Sequence, residues 1–130
     1  KSINLINKLL LTFPMKLMPQ EIEVRYVLPA LRKELALALS KDLKQKEIAN
    51  ILNITPAAVS QYLKDKRGQT KLNIDKEIEK SKNKIIKNRF VAQTELLRLI
   101  KIIKKTHAIC DIHRANDCIP EKCNICFEKW

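Results

Sequence analysis

Residues 45–64 read QKEIANILNITPAAVSQYLK. Ile48, Ala49, Ile51 and Leu52 give the first half one apolar face, and that spacing predicts a short helix over 45–52. Asn53 follows, and asparagine tolerates the left-handed backbone that ends many helices. Thr55 suits an N-cap, and Pro56 suits a first helical position, where a missing N–H is harmless. Ile54, Val59, Tyr62 and Leu63 are then expected to face inward. Two helix backbones that meet at a tight corner need a small residue there, and Ala49 fits. Helical spacing leaves Ala57, Ser60, Gln61 and Lys64 on an outward face, and Gly68 closes the unit.

Upstream, Leu28, Leu31, Leu35 and Leu39 recur at spacings of three and four. Proline is tolerated in a first helical turn, so Pro29 is expected to start a helix that ends near Ser40. The stretch Glu21 to Leu28 reads either as extended chain or as a separate helical turn. Downstream, residues 69–73 read as a linker. From Ile74 the helical period returns, with Ile74, Ile78 and Ile85 on one stripe and Ile86, Phe90, Gln93, Leu97 and Ile100 on a second. Leu96 to Ile103 is apolar on most sides, so it needs cover from more than one neighbour, in its own domain or on a second chain.

The chain has 130 residues, 45% of them hydrophobic, and a single glycine. Many Leu, Ile, Lys and Glu with few turn residues predict an all-α protein. Three parts are expected: a helix-turn-helix unit over 19–68, a helical linker or dimerisation region over 74–105, and a Cys-rich tail over 106–130. The net charge of +12 favours a polyanionic partner, nucleic acid or an acidic membrane surface. The excess is uneven: residues 64–105 hold 14 basic and 5 acidic side chains, whereas the tail is near neutral. Lys64, Lys66, Arg67 and Lys71 directly follow the second helix and are placed to meet phosphates, contacts that supply affinity without sequence information. Lys80, Lys82, Lys84 and Lys87 read instead as a solvated helix face.

QKEIANILNITPAAVSQYL resembles the helix-turn-helix of the lambda-repressor/Cro-like class. EIEVRYVLPALRKELALALSKDLKQKEIANILNITPAAVSQYLKDKRG is similar to archaeal predicted transcriptional regulators, which carry this element near the N-terminus and a short Cys-rich segment at the C-terminus. The likeness covers roughly 19–68 well and 108–126 loosely. It implies a sequence-specific DNA reader, with Gln45 at a phosphate or supporting the second helix and Pro56, Ala57, Ser60 and Gln61 at base edges. Thr55 belongs to the same expected surface. A Gln61 amide could pair with N6 and N7 of adenine, and the Ala57 methyl suits a thymine methyl. Glycine is usual in the class where Asn53 stands here.

All four cysteines lie between Cys110 and Cys126, and such clustering favours a metal or iron-sulfur site over a disulfide scaffold. Cys110, Cys118, Cys123 and Cys126 supply four thiolates for a [4Fe-4S] cluster. The alternative is tetrahedral zinc on Cys110, His113, Cys123 and Cys126, with the spacing CxxH and CxxC. The archaeal pattern has cysteine where His113 stands. His107 reads as a helix-terminal residue.

No Ser/His/Asp set, paired-carboxylate site or Gly-rich phosphate loop is evident, which points away from an enzyme. No apolar run reaches the ~18 residues of a membrane span, and a cytoplasmic protein is expected. Residues 1–14 read as an extension ahead of the natural start or as an ordinary packing segment. The leading expectation is a homodimeric regulator on double-stranded DNA, joined through 86–104, whose metal senses redox state or iron. The alternatives are a nucleic-acid-binding protein with a purely structural zinc staple and an accessory subunit in tRNA modification.

Overall fold

The computed structural model describes residues 16–106 and 108–116, in which helices are joined by turns and irregular segments, with no strand among them. In chain order the helices are α1 (Pro19–Ile22), α2 (Leu28–Leu39), α3 (Gln45–Leu52), α4 (Pro56–Leu63), α5 (Asp75–Lys87), α6 (Ala92–Lys105) and α7 (Ala108–Asn116).

Pro29 does not begin a helix. Helical backbone runs from Pro19 to Leu39 without a break, through a π-helical turn over Glu23–Val27 that joins α1 to α2. Leu28 N–H donates to the Glu23 carbonyl, five residues back. A proline inside an α-helix lacks a donor and crowds the carbonyl four residues before it. The wider π turn immediately ahead of Pro29 relieves that crowding. Glu21 to Leu28, open between extended chain and a separate turn in the sequence, is thus part of one long helical element. Its start is fastened by Met18 N–H, which donates to Glu21 Oε1 at 3.1 Å.

α2 is the hub. Leu31, Leu35 and Leu39 are fully buried, and α3, α4, α5 and α6 all pack on it. α6 also touches α3, and α7 lies against α1 and α6. Ile48 and Leu52 of α3, Val59 and Tyr62 of α4, Ile78 and Ile85 of α5 and Leu96, Leu99 and Ile103 of α6 belong to one continuous core with Ile22 and Val27. Residues 74–105 share that core with residues 19–68. Leu96, Leu99 and Ile103 take their cover from this same chain, whereas Leu97 stays exposed.

The helical stripe expected to run on from Ile86 through Phe90 to Ile100 is interrupted. α5 stops at Asn88, whose backbone is extended, and the Asn88 side chain accepts from Phe90 N–H at 3.1 Å. A 3-10 turn over Arg89–Val91 follows, and α6 folds back on α5. Ile100 is half-buried, while Ile86, Phe90 and Leu97 stay 41%, 95% and 60% exposed. Between α5 and α6 lies a polar cluster. Buried Ser81 donates to Glu95 Oε1 at 2.9 Å, Arg98 Nε donates to the same oxygen at 3.0 Å, and Arg98 also pairs with Glu77. Lys80, Lys84 and Lys87 lie on the solvated face of α5 that their spacing predicts, with Lys84 3.8 Å from Glu95. Lys82 departs from it: it is mostly covered and pairs with Asp42 at 3.1 Å.

Gly68 locks the end of α4 to the hub. Its φ is +65°, and a Cβ there would stand 2.4 Å from the Pro29 carbonyl oxygen and 3.0 Å from Lys33 Cβ. Lys33 also pairs with Asp65 across the same junction. Gly68→Ala is expected to cost about 2–4 kcal/mol, from the left-handed backbone and from overpacking against α2. Urea unfolding should show a lower midpoint at unchanged slope; an unaltered midpoint would mean that this approach does not support the fold.

Candidate nucleic-acid interface

The α3–α4 corner is built by the local features its sequence carries. Asn53 ends α3 with φ 56° and ψ 47°, the left-handed conformation. Ile54 N–H reaches back to the Ala49 carbonyl at 3.0 Å and closes the helix end. Ala49 is buried at this corner, where a larger side chain would push the helices apart. Thr55 Oγ1 accepts from Ala58 N–H at 3.1 Å, and Pro56 takes the first helical position of α4. Thr55 is thus engaged as a cap, although its side chain borders the surface.

The exposed residues around this corner are mostly basic or small. Gln45 and Lys46 start α3, Pro56 and Ala57 start α4, and Lys64, Lys66 and Arg67 follow α4. Lys71 is exposed as well. Ser60 is half-buried. Gln61 departs from expectation: it is half-buried, and its amide oxygen is covered and lacks a hydrogen-bond partner. The one-turn spacing that puts Gln61 near Ala57 also turns it toward the packed side of α4, where Ala58 and Tyr62 are buried. A two-pronged amide–adenine pair requires both amide atoms in the groove. In this arrangement the oxygen does not reach solvent.

A residue that sequence reasoning did not single out lies beside α3. Arg89, from the 3-10 turn, donates from Nη2 to Glu47 Oε2 at 2.8 Å. The Arg89 guanidinium and then the Lys44 backbone N–H hold the Glu47 carboxyl below its ordinary pKa. The two residues are 42 positions apart, and no local spacing signals the pairing.

Other polar ground suits an anion less. An open cleft of about 210 Å³ between α2 and α5 is lined by Glu34, Asp75 and Glu79 together with Lys41. Burial, and then the Asp75 charge, push the Glu34 pKa up. A polyanion would be repelled there.

Of the expected metal ligands, Cys110 is half-buried and His113 buried, one turn apart on α7. Cys118, Cys123 and Cys126 lie outside the described residues, as do residues 1–14 and His107. Among the described residues no group of three or more His, Cys, Asp or Glu side chains is placed to hold a metal ion. The pair on α7 fits two donors of a CxxH half-site, since i and i+3 share a helix face.

No protein-family model, curated protein or solved structure matches the chain. Among the described residues no helix is long and apolar enough to cross a membrane.

The covered Gln61 oxygen has a measurable consequence. An unpartnered buried acceptor costs stability, and an apolar side chain of similar length removes that cost. Gln61→Met is expected to hold or raise stability, by up to ~1 kcal/mol. Gln61→Glu should lower it, because an ionised carboxylate enters the same covered position. Thermal melts of both variants decide; a destabilised methionine variant would show that the amide is satisfied in solution.

Proposed function

We propose that this chain is a sequence-specific double-stranded DNA-binding regulator of transcription, a binding protein rather than an enzyme, acting in the cytoplasm. On this reading α3 and α4 are a helix-turn-helix of lambda-repressor/Cro-like type, related to the archaeal regulators that the sequence resembles. The observation that supports it best is the coincidence at one corner of buried Ala49, left-handed Asn53 and the Thr55 cap, followed by exposed Lys64, Lys66 and Arg67. α4 would enter the major groove with its N-terminal residues at base edges. Ala57 and Ser60 would do most of the direct reading beside Thr55 and Pro56, with Gln61 behind them. Gln45, Lys64, Lys66 and Arg67 would meet phosphates.

Readers of this type bind paired half-sites as dimers. We place the second copy on residues 86–104, where Ile86, Phe90 and Leu97 remain exposed. The reading is tested on a duplex selected from random DNA, with binding followed across a salt series. Lys64→Ala should weaken selected and scrambled duplexes alike and reduce the salt slope by about one. Ala57→Leu, which adds bulk at a base edge, should abolish preference for the selected site and spare binding to the scrambled one. Sedimentation on the selected site should report two chains. No binding to duplex DNA at low salt would defeat the proposal.

For the tail we propose a [4Fe-4S] cluster on Cys110, Cys118, Cys123 and Cys126 that senses redox state or iron. Such a cluster would supply one-electron chemistry or lability to oxidants. The second reading is a structural zinc on Cys110, His113, Cys123 and Cys126, and it is favoured by the shared helix face of Cys110 and His113. Protein purified without oxygen should be brown and lose its visible absorbance with Cys123→Ser. Colourless protein with one equivalent of zinc would replace the cluster by the staple.

A further inference from the structure

We infer that Arg89, which lies outside the helix-turn-helix, is a phosphate-binding residue of the DNA interface, held in place by Glu47 of α3. The inference rests on the DNA reading and extends its surface to the corner between α5 and α6. Arg89 belongs to the 3-10 turn that follows the Asn88 break, and the Asn88 side chain caps that turn. The turn delivers the guanidinium to the first turn of α3, where Glu47 takes one Nη2 donor at 2.8 Å. Glu47 belongs to the first turn of α3, so Arg89 sits at the helix end that carries Lys44, Gln45 and Lys46. All three are exposed.

A guanidinium has five N–H donors in a rigid fork. Glu47 occupies one of them, and the Arg89 side chain is 51% exposed. Unbonded donors therefore face water next to the residue the DNA reading assigns to a phosphate. An arginine anchored on one side loses less side-chain freedom when it meets a phosphate on the other, and its planar fork suits that contact. Lys44 and Lys46 flank the position, so the local charge is positive despite Glu47.

The competing role is a brace that only holds the α5–α6 corner against α3. Removing either partner breaks a brace in the same way, so Arg89→Ala and Glu47→Gln should then move DNA affinity in the same direction. A phosphate contact predicts opposite directions. Arg89→Ala removes the contact, whereas Glu47→Gln removes a nearby negative charge and frees another donor. A general change in net charge would mimic this, so Arg89→Lys serves as control, because it keeps the charge and loses the planar fork.

The experiment measures binding of the full chain to the selected duplex and to a scrambled duplex over a salt series. Circular dichroism confirms that each variant is folded. Arg89→Ala should weaken both duplexes equally and reduce the salt slope by about one. Glu47→Gln should tighten both. Arg89→Lys should weaken both duplexes, although net charge is unchanged. The inference is overturned if Arg89→Ala or Arg89→Lys matches the wild type, or if the Arg89→Ala and Glu47→Gln variants shift affinity together. If the wild type binds no duplex DNA, the DNA reading and this inference fall together; if it binds and Arg89 is silent, only the inference falls.

Discussion

Burial of the leucine side of α2 is the constraint on which the other helices depend. Leu31, Leu35 and Leu39 are fully buried, and each such side chain contributes about 1.5–3 kcal/mol when removed from water. No single neighbour covers them. α3 and α4 close over part of α2, and α5 and α6 close over the rest. The corner that presents the proposed reading surface is therefore seated on the same core as the helices that follow it. Gly68 shows how tight that seating is: the chain leaving α4 touches the Pro29 carbonyl so closely that only a hydrogen fits.

Charge in this molecule is divided between internal ties and open surface. Arg98 and Glu95 join α5 to α6 around buried Ser81, with Glu77 on the same guanidinium. Lys82 reaches Asp42, and Lys104 reaches Glu23. Solvent-exposed ion pairs contribute little to stability, roughly 0–1 kcal/mol each, and the Arg98–Glu95 and Lys82–Asp42 pairs are partly covered. Their importance lies in where they leave cations unengaged. Much of the basic character of α5 is tied to acidic partners in the chain, and the residues after α4 have more of their charge facing water. That division supports a polyanion at the α3–α4 corner better than along α5.

Several parts of the fold are legible in the sequence. The bounds of α3 and α4, the left-handed Asn53, the Thr55 cap and the small Ala49 all follow from residues within one or two turns of each other. Three features are not legible there. Pro29 reads as a helix start because the proline rule is local, and a π turn ahead of it evades the rule. Asn88 does not stand out as a break, since the apolar spacing of Ile86, Phe90 and Leu97 runs across it undisturbed. Gln61 shares the outward spacing of Ala57, yet the packed side of α4 claims it.

The sequence by itself determined the helical class, the α3–turn–α4 unit and the positive charge, because propensity, capping and periodicity act between residues close along the chain. Tertiary structure alone decided which helix faces meet. It set α5 and α6 against α2, exposed Ile86, Phe90 and Leu97, and covered the Gln61 oxygen. It also brought Arg89 to Glu47 across 42 positions. Periodicity marks a face as apolar but carries no information about its partner. That choice follows from the burial of all the faces at once, and only the folded chain expresses it.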